Sequence, residues 1–139
     1  MAQETPGKIL LSIVTPEAHM VTDEVDQVNV PGSEGDMGIL YDHAPLFSTL
    51  RPGRLSYEKG EEVVGLVVSD GYVEVTENRV TVLAETAEFL DAIDRERALE
   101  AKKKAEALLA RTDLKADELR EAQKKLFRAL ARLENAQSS

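Results

Sequence analysis

The last 46 residues, from Asp94 to Ser139, contain neither glycine nor proline, while the first ~90 are punctuated by both. A chain with such a break cannot be one uniform architecture. Ala, Leu, Glu, Lys and Arg dominate residues 94–139, which is helix composition. Ala98, Ala101, Ala105, Leu108 and Leu109 recur at helical spacing, and so do Leu119, Ala122, Leu126, Ala129, Leu130 and Leu133. Arg111-Thr112-Asp113 interrupts the pattern, so two helices joined by a turn are expected. Asp94 should cap the first, its carboxylate accepting from the backbone N–H near Arg97, and Asp113 the second, with Asp117 and Glu118 beside the positive helix end.

Before the break, short apolar and β-branched runs at 8–14, 25–30, 63–68, 72–75 and 79–83 read as strands. Turns are expected at Pro31-Gly32-Ser33, Arg51-Pro52-Gly53, Lys59-Gly60, Asp70-Gly71 and Glu77-Asn78, the last a tight hairpin. Many closely spaced strands imply an antiparallel β-sandwich or barrel, not a parallel sheet. The fold class is therefore α+β: a β-sandwich over 1–90, then a two-helix antiparallel hairpin over 91–139. Because the helix faces are rich in alanine, and each buried CH₂ is worth only ~0.8 kcal/mol, the hairpin should hold its closed arrangement weakly.

Charge follows the same division. Residues 1–93 carry 5 basic and 17 acidic side chains, and residues 94–139 carry 12 and 9. An acidic first part repels phosphates, so a nucleic-acid partner is not expected. The basic tail suits an acidic protein surface or a polyphosphate. Aromatics are 4% with no Trp, which argues against an aromatic ligand-stacking surface, and without Cys there is no disulfide or thiolate metal site. The opening residues lack the pattern of a signal or transit peptide, and no window approaches the roughly 20 apolar residues of a membrane span. A soluble chain that meets a membrane only through partners is expected.

No catalytic constellation is legible. His19 and His43 are far apart; His19 reads as a surface residue and His43 as the partner of Asp42 in a turn. Ser48, Ser56 and Ser69 sit in no GxSxG elbow, and there is neither a GxxxxGK[ST] nor a GxGxxG motif. The glycines Gly32, Gly35 and Gly38 permit tight turns and positive φ, and residues 31–37 should form an exposed acidic loop suited to contact with a neighbour.

Pro31-Gly32-Ser33-Glu34-Gly35-Asp36-Met37-Gly38-Ile39-Leu40, Asp42-His43-Ala44-Pro45-Leu46 and Arg51-Pro52-Gly53 together resemble the signature of the epsilon-subunit family of bacterial F-type ATP synthases. So do Ser69-Asp70-Gly71-Tyr72-Val73-Glu74-Val75 and Val82-Leu83-Ala84-Glu85-Thr86-Ala87-Glu88. The ordered matches cover nearly the whole chain.

The resemblance implies a non-catalytic central-stalk subunit on the cytoplasmic face of the bacterial plasma membrane, peripheral and monomeric when isolated. It sets Ser33, Glu34 and Asp36 against the c-ring and His43 and Ala44 against the gamma subunit. The hairpin would open towards the alpha/beta catalytic head and restrain ATP hydrolysis. Ile93-Asp94-Arg95-Glu96-Arg97-Ala98 is similar to the I/L-D-x-x-R-A motif of family members that bind ATP, and Arg128 with Arg132 to their second-helix basic pair. Four residues apart, those two share one helix face and suit a phosphate chain together with Arg97. Glu88 and Asp94 fall where adenine acceptors or supporting contacts are implied. Lys104 stands where some ATP-binding members carry Arg, keeping the charge without the planar fork. No cofactor is required, and a regulatory ATP is the ligand implied. The alternative is a purely structural stalk subunit whose hairpin neither binds ATP nor inhibits.

Overall fold

The computed structural model describes residues 7–136. Residues 1–6, on which the reading of the opening segment partly rests, and 137–139, the end of the expected hairpin, lie outside it. The chain divides between Phe89 and Leu90 into two compact units.

The first unit holds eight strands: β1 (Ile9–Val14), β2 (His19–Val25), β3 (Gln27–Gly32), β4 (Gly35–Ile39), β5 (Leu46–Leu50), β6 (Gly53–Lys59), β7 (Glu62–Thr76) and β8 (Arg79–Phe89). The long β7–β8 hairpin is shared by the two layers of the sandwich. Its tip half pairs with β5 on one side and β1 on the other, and β1 carries β2. The half remote from the tip pairs through β7 with β6, which leads on to β3 and β4. A single bridge, Gly32 to Leu50, links β3 to β5. The expected sandwich is thus present, with one departure from antiparallel pairing: β1 runs parallel to β8.

Alternation builds the core as anticipated. Ile9, Leu11 and Ile13 of β1, Val73 and Val75 of β7, and Val80, Val82 and Ala84 of β8 are buried, joined by Val28, Val30, Ile39, Leu55 and Leu66. The Glu77-Asn78 hairpin holds, both residues at positive φ, which is the backbone of a two-residue turn matched to strand twist. The runs at 63–68 and 72–75 are one strand, however. Asp70 and Gly71 (φ 50° and 144°) bend β7 without ending it, and its pairing with β8 keeps one register from Leu66 to Thr76. Conversely, the run at 25–30 is two strands meeting at Asp26. That carboxylate accepts from Lys8 Nζ and from the Gly60 amide, and the Lys8 hydrogen bond, chiefly, holds it below the usual carboxylate range.

In the second unit a 3₁₀ turn (Leu90–Ala92) leads into α1 (Arg95–Leu109), and α2 (Ala116–Asn135) follows. Asp94 caps α1 as expected, its Oδ1 accepting from the Arg97 amide at 3.2 Å. Asp113 does not cap α2. Its carboxylate is taken by the Arg111 guanidinium, which lowers its pKa, and the cap position is Lys115, whose amide donates to Glu118 Oε1 at 3.1 Å. The buried side chains of the pair are alanines: Ala98 and Ala105 on α1, and Ala122, Ala129 and Ala131 on α2. Ala105 with Ala122 and Ala98 with Ala129 share one midpoint in the chain, between Asp113 and Leu114 in the turn, which is the spacing of an antiparallel pair. Leu119 and Leu130, although on the helical repeat, stay 40% and 39% exposed.

Candidate docking surface

The tip half of the β7–β8 hairpin turns one face to the core and the other to solvent. Tyr72 and Leu83 face each other across that hairpin, and Phe47 of β5 is paired with Glu74, one step along the same outer face. Phe47, Tyr72 and Leu83 are 64%, 49% and 50% exposed. The Phe47 and Tyr72 rings stack with centroids 5.4 Å apart and planes 26° from parallel. The low aromatic content had argued against such a surface for ligands, yet two of the six aromatic residues gather here. Large apolar side chains massed on one solvent-facing sheet mark a contact site. The signal was present in the sequence as the outward phase of the alternation: Tyr72 against inward Val73 and Val75, and Leu83 against Val82 and Ala84.

The loop before β5 borders this face. Asp42 (φ 65°) is tied to the β7–β8 turn, its amide donating to Asn78 Oδ1 at 2.6 Å while Asn78 Nδ2 donates to its carboxylate. The expected Asp42–His43 bond is therefore absent: Asp42 is engaged by Asn78, and His43 Nδ1 donates to the Ala44 carbonyl at 2.7 Å. His43 is half-buried and Ala44 exposed. A shallow depression of about 410 Å³ next to them is lined by Pro45, Leu46, Phe47, Glu74, Val75 and Thr76.

The segment 31–37 is not the open loop expected. Gly32 pairs with Gly35, which leaves only Ser33 and Glu34 in the turn, and Pro31 and Gly32 are buried. Of the three glycines only Gly35 takes positive φ (142°). Gly32 is needed for space instead, because a Cβ there would meet the Gly35 carbonyl oxygen and Met37 Cε at 2.8 Å. Ser33, Glu34 and Asp36 are exposed around this tip.

The residues matched to an ATP site fall in both units. Ile93, Asp94, Arg97 and Ala98 surround the first turn of α1, with Arg97 exposed and Ala98 buried. Arg128 and Arg132 lie half-buried on one face of α2, and the antiparallel spacing sets them at the axial level of that first turn. Three cationic side chains thus share one end of the helical pair. Glu88 lies on β8 in the first unit, half-buried. Among the described residues no three His, Cys, Asp or Glu side chains gather as a metal site, and no helix is long and apolar enough to cross a membrane.

The architecture is thus a β-sandwich with an aromatic outer face, followed by an alanine-packed helical pair. Residues 8–90 match the family model for the beta-sandwich domain of the ATP synthase delta/epsilon chain. ATP synthase epsilon chain 2 of Syntrophotalea carbinolica is 46% identical over 93% of this chain and 94% of its own. The ATP synthase epsilon chain of Dehalococcoides mccartyi is 45% identical over 94% of each. A chain in the cryo-EM structure of Euglena gracilis mitochondrial ATP synthase superposes with a TM-score of 0.77 at 23% identity, covering 91% of this chain and 79% of that one, an agreement of fold. The chain belongs to the ATP synthase delta/epsilon family, and its bacterial relatives are epsilon chains.

Proposed function

We propose that the chain is a non-catalytic central-stalk subunit of an F-type ATP synthase. Its sandwich joins the gamma subunit to the c-ring, and its helical pair opens towards the alpha/beta head to restrain hydrolysis. The stacked, exposed Phe47–Tyr72 pair with Leu83 is the observation that carries the docking role, and Phe47 follows His43 and Ala44 closely along the chain. Gamma covers this face, and the c-ring meets the Ser33–Glu34 tip. The complex keeps the subunit peripheral, at the cytoplasmic face of the bacterial membrane. The chain should capture purified gamma as a stable one-to-one complex; failure to bind gamma at micromolar concentration removes the stalk assignment.

The regulatory half of the proposal is supported by the thin alanine interface between α1 and α2. Each buried methyl contributes on the order of 0.8 kcal/mol, and a ligand at 100 times its dissociation constant adds about 2.7 kcal/mol to the state it binds. ATP held by Arg97, Arg128 and Arg132 would therefore be enough to favour the closed pair. Calorimetry of the isolated chain should detect ATP binding, weakened about 10-fold or more by Arg128→Ala, because hydrogen bonds to charged groups are worth roughly 1.5–3 kcal/mol. No heat at millimolar ATP leaves a subunit that does not sense the nucleotide.

A further inference from the structure

Arg51 spans both strands of the β3–β4 tip. Its guanidinium donates from Nη1 to the Gly32 carbonyl on β3 and from Nη2 to the Asp36 carboxylate on β4. Its own amide donates to the Pro31 carbonyl at 3.0 Å. From β5, the Thr49 carbonyl accepts from the Ser33 amide at 2.9 Å, and the hydroxyls of Ser33 and Thr49 are hydrogen-bonded. A two-residue turn at a strand end is ordinarily free to rock; this one is fixed to the β5–β6 corner through both of its strands. The links also sort the polar groups of the tip. Asp36 is engaged by Arg51 and the Ser33 hydroxyl by Thr49, whereas Glu34 takes part in none of them.

We propose that Arg51 is the positioning residue of this tip, holding it rigid so that Glu34 is the carboxylate offered to a hydrogen-bond donor of the c-ring. The proposal rests on the reading of the tip as the c-ring contact. An exposed ion pair adds little to global stability, so the arrangement makes sense as stiffness where torque passes. The fork lets one side chain bridge both strands, whereas a lysine reaches only one of the two acceptors at a time.

Arg51→Ala, Arg51→Lys and Glu34→Lys in the full chain separate the parts. In the isolated protein, Arg51→Ala should speed hydrogen exchange of the Ser33 amide about tenfold and move the melting temperature by no more than about 2 °C. In the reconstituted synthase it should lower the protons pumped per ATP hydrolysed, and Arg51→Lys should recover part of both losses. Glu34→Lys should lower pumping without changing Ser33 exchange. If Arg51→Ala leaves either exchange or pumping unaltered while Glu34→Lys impairs pumping, the role given to Arg51 is wrong. If Glu34→Lys pumps normally, the tip is not the c-ring contact, and the reading beneath the proposal falls with it.

Discussion

Gly71→Ala should destabilise the β-sandwich by about 3–5 kcal/mol, the sum of backbone strain and forced displacement of a neighbouring strand. Gly71 sits at φ 144°, which side-chain-bearing residues rarely adopt, and a Cβ there would lie 1.9 Å from the Leu83 carbonyl oxygen and 2.9 Å from its carbon. Relief requires β8 to move, but β8 is held on its other side by β1 through Leu83 and Val14. The site is also where β7 passes from β6 to β5, so a shift is felt in both layers. Gly35 provides the control: its φ is 142°, yet nothing lies within 4 Å of a Cβ. Gly35→Ala should therefore cost only the backbone term, about 1–3 kcal/mol. Urea unfolding followed through the NMR signals of Val73 and Val82 reads both variants. A loss below about 1 kcal/mol at Gly71 contradicts the crossing geometry.

Under the proposed function, Tyr72→Lys or Phe47→Lys should weaken the affinity for gamma about 30- to 1,000-fold, since a central aromatic anchor is commonly worth 2–4 kcal/mol. Both side chains stand on the outer face, with 49% and 64% of their surface exposed, so the isolated variants should melt close to the parent. Surface plasmon resonance with immobilised gamma separates the cases. An affinity within about threefold of the parent for both variants would move the docking surface elsewhere.

How much of this was legible follows from the range of the interactions involved. Where neighbouring residues decide, the sequence suffices: the alternation in β1 and β8, the Glu77-Asn78 turn, the Asp94 cap and the two helices are all local. Asp70-Gly71 reads the same whether a strand stops or bends, and pairing with β5, β6 and β8, including Gly71 with the distant Leu50, decides the matter. The cap of α2 was misplaced because Arg111, two residues earlier, takes the Asp113 carboxylate. The tip at Ser33–Glu34 was read as an open acidic loop since no pattern shows Arg51 reaching back across it. The aromatic face was missed by counting aromatics, when only their phase on the strands places Phe47 beside Tyr72. The site residues carried by resemblance stay proposals, though three of them, Arg97, Arg128 and Arg132, gather at one end of the helical pair.

Under the proposed function, a docking sandwich carries a separable helical arm that governs hydrolysis. This is tested most directly by comparing ATP hydrolysis in synthase complexes assembled with the full chain and with a chain lacking residues 94–139. The expected result is intact assembly and ATP synthesis with hydrolysis raised severalfold at low ATP, where the arm is least held closed. Equal hydrolysis by the two complexes across the whole range of ATP concentrations would contradict it.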